Sequence, residues 1–321
     1  MRKFFPDYLI ITLKGLAMGA ADVVPGVSGG TIAFISGIYE ELIQSIDNIK
    51  LRALITLKNE GFWVAWKQIN GGFLLALFAG ILTSIISLSK LIIFLLDNHP
   101  IVVWSFFFGL VIASILHIFK QVEKWNGLAI ILLLLGTVVS YYITIAEPVA
   151  SPDSYLYLFL SGFIAIIAMI LPGVSGAFIL VLMGAYETVL GNINLLRDSI
   201  FKWNTEIMIA SGTRLGIFAI GCIVGLKVFS KTLRWMFAHY KDATLTLLIG
   251  FMIGSLNKVW PWKEVLTTRL NSHGKIVPVV ERSILPQNFE GNNLLFLAVI
   301  TAILGFLTIY ILEKVAKKYQ R

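Results

Sequence analysis

Two short turns of identical sequence, Pro-Gly-Val-Ser-Gly, are the residues of this chain best suited to bind a ligand; they begin at Pro25 and Pro172. Proline lacks a backbone donor and glycine tolerates left-handed backbone, so each turn should break a helix. A helix that starts again after such a break directs unpaired N–H groups and the positive end of its dipole at the turn. The turns therefore predict an anion site.

The polar groups of the turns suit phosphate or carboxylate oxygens, because hydroxyl and backbone N–H groups are hydrogen-bond donors. We predict a substrate site built from small and hydroxylated residues and one cation: Ser28, Gly29, Gly30, Thr31, Ser175, Gly176 and Arg214. Four further residues are predicted to shape the turns: Pro25, Gly26, Pro172 and Gly173. The alternative is a packing motif, since small residues let membrane helices approach closely.

Charged residues within apolar segments need a partner or a function, because an unpaired charge is costly there. Arg214 lies roughly 10 Å into its helix by rise per residue, which makes it a candidate for binding an anionic headgroup or a carboxylate. Asp22 precedes the first turn and is a candidate for binding a coupling cation or orienting backbone donors. Glu40 and Glu187 occupy equivalent positions after the two turns, as candidates for coupling, for pairing or for an interfacial position.

The sequence lacks the patterns of catalytic and metal-binding proteins. Its histidines, at positions 99, 117, 239 and 273, have no ligand spacing, and Cys222 is the only cysteine. There is no phosphate-binding loop, nucleophile elbow or dinucleotide fingerprint. We therefore predict no catalytic residue, no metal and no cofactor. The basic residues lie between apolar segments rather than along one stripe, so we predict no nucleic-acid partner.

The composition is that of an integral membrane protein. Of the 321 residues, 57% are hydrophobic and 14% are charged, whereas soluble domains are about 25% charged. The mean hydropathy is +0.84. Apolar segments recur that reach the roughly 17 residues needed to cross the hydrocarbon core as a helix. These features predict an all-α polytopic membrane protein.

The chain contains two related halves. Residues 25–40 and 172–187 are identical at 9 of 16 positions without a gap. Further identities follow at a slightly shorter offset, among them Gly80 with Gly221 and Gly109 with Gly250. Internal duplication of this kind is typical of secondary transporters.

Each half is predicted to be a membrane repeat, the first over residues 1–150 and the second over 151–321. A repeat consists of a broken, re-entrant-like helix hairpin followed by three transmembrane helices. The legs of the hairpins are predicted over 8–21, 31–46 and 155–190, and the later spans over 71–96, 101–119, 127–145, 207–228, 243–256 and 294–312. The polar loop 257–293 has no predicted role.

Loop charge predicts the orientation, because cytoplasmic loops carry an excess of lysine and arginine. The basic connection 50–67 is predicted to be cytoplasmic, together with both termini, and the loop 147–154 to lie outside. A hairpin that returns to its starting side, followed by three crossings, inverts the second half relative to the first. We therefore predict two inverted-topology repeats.

A longer string carries a family resemblance. Lys14 to Thr31 reads KGLAMGAADVVPGVSGGT, and Leu171 to Gly176 reads LPGVSG. Together they resemble the bacterial undecaprenyl-phosphate (polyprenyl-phosphate) translocase family, over nearly the whole chain. The second copy departs at Ala177 and Phe178, where the first has a Gly-Thr pair, so the two turns need not contact the same groups.

The resemblance implies a flippase that returns undecaprenyl phosphate from the outer to the inner leaflet of the bacterial cytoplasmic membrane for cell-envelope polymer synthesis. The residues add the expectation of alternating access at a midplane anion site, with the bilayer and a coupling ion, H+ or Na+, as further partners. Two alternatives stay open. One is a channel or exchanger for a small inorganic anion that uses the same turns, and the other is a membrane-embedded lipid phosphatase.

Overall fold

The computed structural model describes residues 5–24, 27–270 and 276–319, so Pro25 and Gly26 of the first turn lie outside the described part of the chain. Within the described residues the first half forms eight helices: α1 Phe5–Val23, α2 Gly29–Ile35, α3 Tyr39–Asn48, α4 Leu51–Glu60, α5 Phe62–Gln68, α6 Gly71–Asn98, α7 Pro100–Phe119 and α8 Gly127–Ile145. The second half forms six: α9 Tyr155–Ile170, α10 Gly176–Leu182, α11 Tyr186–Lys202, α12 Thr205–His239, α13 Lys241–Ser255 and α14 Leu295–Tyr319.

The helices confirm the predicted class, a mostly helical polytopic membrane protein. Among the described residues, α6, α7, α8 and α12 are long and apolar enough to cross a membrane. A fifth candidate is formed by α10 and α11 if their 104° bend is counted within one broken span. Two shorter apolar helices are α9 and Leu295–Ile311.

The second leg of the first hairpin is broken, so the prediction of one helix over 31–46 was wrong. Gly37, with φ +70°, separates α2 from α3, and Gly184, with φ +64°, separates α10 from α11 at the equivalent place. Left-handed backbone is readily adopted only by glycine, since a Cβ would approach the following carbonyl oxygen. The second leg of each hairpin is therefore interrupted once more after the Pro-Gly-Val-Ser-Gly turn.

The polar loop 257–293, for which no structure was predicted, contains in its described residues two strands and a short 3-10 turn, which together form the β-hairpin region: β1 Lys263–Leu270, β2 Ile276–Ser283 and Pro286–Asn288. The strands are antiparallel. Beside the hairpin, Trp262 is buried in an apolar cluster with Ile101 and Ala298. This contact fixes the loop at the first turns of α7 and α14.

The helices pack in two corresponding sets of pairs. In the first half α1 packs along α6, and in the second α9 packs along α12. Between the halves, α7 packs along α14 and α8 along α13. Glycines permit these contacts at corresponding positions, because a Cβ at Gly80 would collide with the carbonyl oxygen of Thr12, and one at Gly221 with that of Phe159.

The contacts between α8 and α13 also give their relative direction. Gly250 lies against the carbonyl oxygen of Leu133, and four residues farther along both helices Gly254 lies against that of Thr137, so the two helices run parallel. Consecutive crossings alternate in direction, so α7 runs opposite to α8 and hence to its sequence counterpart, α13. This arrangement supports the inversion of the second half, which stays a prediction.

Candidate functional site where the two broken turns meet

The two broken turns contact each other in the protein interior. Thr31 Oγ1 accepts a hydrogen bond from the N–H of Gly173 at 2.9 Å. Ser28 Oγ donates to the carbonyl oxygen of Met169 at 3.2 Å. Ser28 and Thr31 are almost fully buried. The structure thus brings together predicted site residues of both halves.

A close approach of backbones makes this contact possible. A Cβ on Gly30 would lie 2.6 Å from the carbonyl oxygen of Ile170 and 3.2 Å from that of Met169. The carbonyl of Ile170, one of those left unpaired at the end of α9, accepts a hydrogen bond from the Tyr39 hydroxyl at 3.2 Å. Gly173 has φ +85°, so the second turn also needs glycine for its backbone conformation.

The N–H donors that begin α2 are bonded within the protein. Ser28 is the N-cap residue, and its Oγ accepts the N–H of Gly30 at 3.1 Å. Asp22 Oδ1 accepts the N–H of Gly29 at 2.6 Å. The Asp22 carboxylate therefore accepts a backbone donor of the first turn that the sequence predicts to face an anionic ligand. Its predicted roles, orienting backbone donors or binding a coupling cation, stay predictions.

The second turn has fewer polar groups. Ser175 caps α10 through a long hydrogen bond, 3.4 Å, from the N–H of Phe178 to its Oγ. Pro172 and Gly176 are buried, and a Cβ on Gly176 would lie 2.6 Å from a carbonyl oxygen of α9. Over the ring of Phe178, 4.5 Å from its centre, lies the ammonium of Lys258, a cation–π contact.

Lys258 also belongs to a charged cluster beside the β-hairpin, together with Lys263 and Glu281. Glu281 Oε2 lies 3.1 Å from Lys258 Nζ and 3.7 Å from Lys263 Nζ, the latter too far for a hydrogen bond. Burial lowers the pKa of Lys263 to about 8, although the charge of Glu281 opposes the shift. Its ammonium lies 3.7 Å from the ring centre of Trp104. Burial alone would raise the pKa of Glu281, but the charges of Lys263 and Lys258 hold it below its usual value.

These three charged residues were not among the predicted site residues. The one sequence feature that could have indicated them is the long polar stretch 257–293, which contains all three. Its first cation, Lys258, follows the end of α13 by three residues. Sequence alone does not reveal that the loop folds back over the second turn.

Arg214 lies apart from the turns. Its Nη2 is 3.0 Å and 3.1 Å from the two carboxylate oxygens of Asp153. The packing of Gly221 against Phe159 places Arg214 level with the start of α9, roughly 25 Å by helix rise from the turn at the other end. The pair lines a cavity of about 180 Å³ with polar neighbours: Ser151, Ser154, Tyr157 and Thr188. The structure therefore shows the carboxylate partner, and does not bring Arg214 to the other predicted site residues.

Glu40 and Glu187 are exposed in the first turns of α3 and α11. A carboxylate is favourable there because the N-terminal end of a helix carries a partial positive charge. Their predicted part in coupling or pairing stays a prediction.

Comparisons with known proteins identify the family. A family model described as undecaprenyl phosphate translocase-like matches residues 18–277. The "Polyprenyl-phosphate transporter" of Vibrio cholerae serotype O1 is 45% identical over 322 aligned residues, which cover 97% of this chain and 98% of the relative. The protein of the same name from Staphylococcus aureus is 33% identical over 264 residues, covering 78% and 85%. No solved structure matches. The resemblance of the turn sequences is confirmed, and the chain belongs to the undecaprenyl phosphate translocase-like family.

Proposed function

We propose that this protein is a transporter that carries a polyprenyl phosphate across the membrane. It returns undecaprenyl phosphate from the outer to the inner leaflet of the bacterial cytoplasmic membrane, where the lipid is used again for envelope polymer synthesis. The family and the names of both relatives support the substrate. Nothing in the proposal requires a catalytic residue, so the protein acts as a transporter rather than an enzyme.

The observation that carries the mechanism is the contact between the two broken turns. The groups that join them, such as the Ser28 hydroxyl, the Thr31 hydroxyl and the N–H of Gly173, are groups that bond equally well to phosphate oxygens. Broken backbone at membrane depth must be buried in protein or line a polar cavity. When the turns separate, a bound phosphate satisfies the groups that the separation exposes.

The first turn is the more polar and is the better place for the phosphate. Gly29 and Gly30 supply N–H groups, and Thr31 supplies a hydroxyl that Phe178 replaces in the second turn. Phosphate binding there requires Asp22 to release the N–H of Gly29. The prenyl chain, which is apolar throughout, stays in the lipid while the headgroup crosses between the repeats, so access alternates between the leaflets around one site.

Transport by the purified protein tests this function. Liposomes that contain it are expected to move labelled polyprenyl phosphate between leaflets, with inhibition by short prenyl phosphates and not by free phosphate. Arg214 lies apart from the turns, so in this proposal it binds the headgroup where the lipid enters or leaves the path between the leaflets. Arg214→Ala should then slow transport by about tenfold, because one hydrogen bond to a charged group contributes about 1.5–3 kcal/mol. Asp153→Asn keeps Arg214 and removes only the charge of its carboxylate partner, so this variant should not slow transport.

Other outcomes of this assay point to other functions. Inhibition by free phosphate would favour the small-anion channel or exchanger, and phosphate release from a polyprenyl pyrophosphate would favour the lipid phosphatase. Normal transport by Arg214→Ala would remove that residue from the mechanism.

Opposite accessibility of two connections tests the inverted topology, with both termini cytoplasmic. In a Cys222→Ser background, a cysteine replacing Lys58 should react with an impermeant maleimide only from the cytoplasmic face. A cysteine replacing Arg197 should react only from outside, and both side chains are exposed. Labelling of both positions from the same face would contradict the inversion.

A further inference from the structure

A second cavity, away from the two turns, lies between α4, α5 and α12. Its volume is about 780 Å³, which is within the roughly 300–1,000 Å³ of small-molecule sites. Most of its wall is apolar and comes from α4, α5 and the residues beside them: Ile49, Ala53, Leu57, Phe62, Trp66 and Ile69. An apolar wall of this kind suits a hydrocarbon chain.

Three cations complete the wall of this cavity, namely Lys50, Arg52 and Lys227. Lys227 Nζ donates hydrogen bonds to the carbonyl oxygens of Ile46 and Asp47, at 2.9 Å and 3.2 Å. These carbonyls belong to the last turn of α3, where the helix dipole is negative, and that of Ile46 also accepts the N–H of Ile49 at 3.2 Å. Lys227 thereby holds α3 against α12 and keeps its charge at the cavity.

The cations outnumber the acidic groups that contact them. Asp47 Oδ2 lies 3.2 Å from Lys50 Nζ and 2.7 Å from an Arg234 nitrogen, in ion pairs whose angles are not those of hydrogen bonds. Arg52 is exposed and has no ion pair within the described part of the chain. The three cations of the wall and Arg234, which pairs with Asp47 beside it, exceed this one carboxylate by three positive charges at the polar end of the cavity.

We propose that this cavity is a second binding site for the prenyl phosphate, in the leaflet that contacts α4 and α5. The phosphate lies among Lys50, Arg52 and Lys227. The first isoprene units lie against the rings of Phe62 and Trp66. The inference rests on the proposed function. It adds a site at which the lipid enters or leaves the transport path.

Charge favours a phosphate monoester over an ordinary phospholipid as the occupant. A monoester carries about −1.5 to −2 at pH 7, and each of its three terminal oxygens accepts hydrogen bonds. A phospholipid diester carries a single negative charge and presents fewer acceptors. The surplus of three positive charges matches the monoester better.

The position of α3 connects this cavity with the broken turns. At one end of α3, Tyr39 donates its hydroxyl hydrogen to Ile170 of the second turn region. At the other end, Asp47 pairs with Lys50 of the cavity wall and with Arg234 of α12. The two residues are about 12 Å apart by helix rise, so one short helix adjoins both proposed binding sites.

Binding by the purified full-length protein tests the second site, with geranylgeranyl phosphate as the probe. Lys50→Gln and Arg52→Gln should each weaken its binding about tenfold, as expected for loss of one charge-assisted contact, and should leave geranylgeraniol binding unchanged. Lys58→Gln is the matched control, because Lys58 is an exposed cation of α4 outside the cavity wall. A photoreactive geranylgeranyl phosphate should label residues 49–69.

The outcomes separate this site from the proposed function. Equal binding by Arg52→Gln and Lys58→Gln, or labelling confined to other segments, overturns the second site even if the parent protein transports the lipid normally. Competition by phosphatidylglycerol as strong as that by the prenyl phosphate overturns the monoester as occupant. If the parent protein binds the probe at residues 49–69 but moves no lipid, the second binding site is supported and the proposed transport function is rejected.

Discussion

Asp22→Asn is expected to leave the protein folded and to abolish the response of transport to the coupling ion. Asp22 Oδ1 accepts the N–H of Gly29 at 2.6 Å, and the amide oxygen of asparagine can accept the same hydrogen bond. The substitution replaces the second carboxylate oxygen with an NH2 group and so removes the negative charge that binds H+ or Na+. A carboxylate in apolar surroundings is costly, and an incoming phosphate adds a second negative charge beside it. Cation binding to Asp22 would neutralise the carboxylate and free the N–H of Gly29 for the phosphate.

Transport into liposomes under imposed H+ or Na+ gradients measures this effect. The parent should respond to one of the two gradients, and Asp22→Asn should be about 100-fold slower under that gradient and unresponsive to it. That factor corresponds to about 2.7 kcal/mol, within the range for a hydrogen bond to a charged group. Glu60→Gln, a neutralised exposed carboxylate of α4, is the control.

Results for the other candidates would redirect the assignment. Loss of the gradient response in Glu40→Gln or Glu187→Gln, with Asp22→Asn unaffected, would move the coupling role to that residue. Asp22→Ala should in addition lose stability, because the N–H of Gly29 then has no acceptor; the expected loss is about 1–3 kcal/mol.

The long helices were predictable because their length is set by the thickness of the membrane. The predicted span 127–145 coincides with α8, and the predicted span 71–96 ends two residues before α6 does. The prediction for α12 ended at residue 228, eleven residues early, because lysines and an arginine follow. In the structure the helix continues beyond residue 228, and Arg234 in that extension contacts Asp47 at the end of α3, a tertiary contact with no local signature.

The site was predictable to the extent that its chemistry is local. Helix breaks and an N-cap follow from proline, glycine and serine, and Ser28 and Ser175 both cap as such residues do. The partners of these residues were not predictable, because Ser28 bonds to a residue 141 positions away. Arg214 was expected near the turns from its depth in an apolar segment, whereas its partner Asp153 lies in a loop whose path is not encoded by periodicity.

Alanine at Gly109 or Gly250 is expected to give the largest loss of stability. A Cβ at Gly109 would collide with the carbonyl oxygen of Ala302, and one at Gly250 with that of Leu133. Backbone cannot move aside without separating α7 from α14 or α8 from α13. Overpacking in cores costs about 1–3 kcal/mol of stability. Because the colliding atoms belong to rigid backbone, the loss at these two glycines should reach or exceed the upper end of that range.

Thermal unfolding of the purified protein in detergent measures this loss. Gly216→Ala is the matched control, because a Cβ there meets no atom within 4 Å and alanine favours the helix by about 0.5–1 kcal/mol. If Gly109→Ala and Gly250→Ala unfold like the control, the close packing is wrong. If only one is destabilising, the correspondence of the two interfaces fails. Similar losses at both positions would show that the two interfaces contribute alike to holding the halves together.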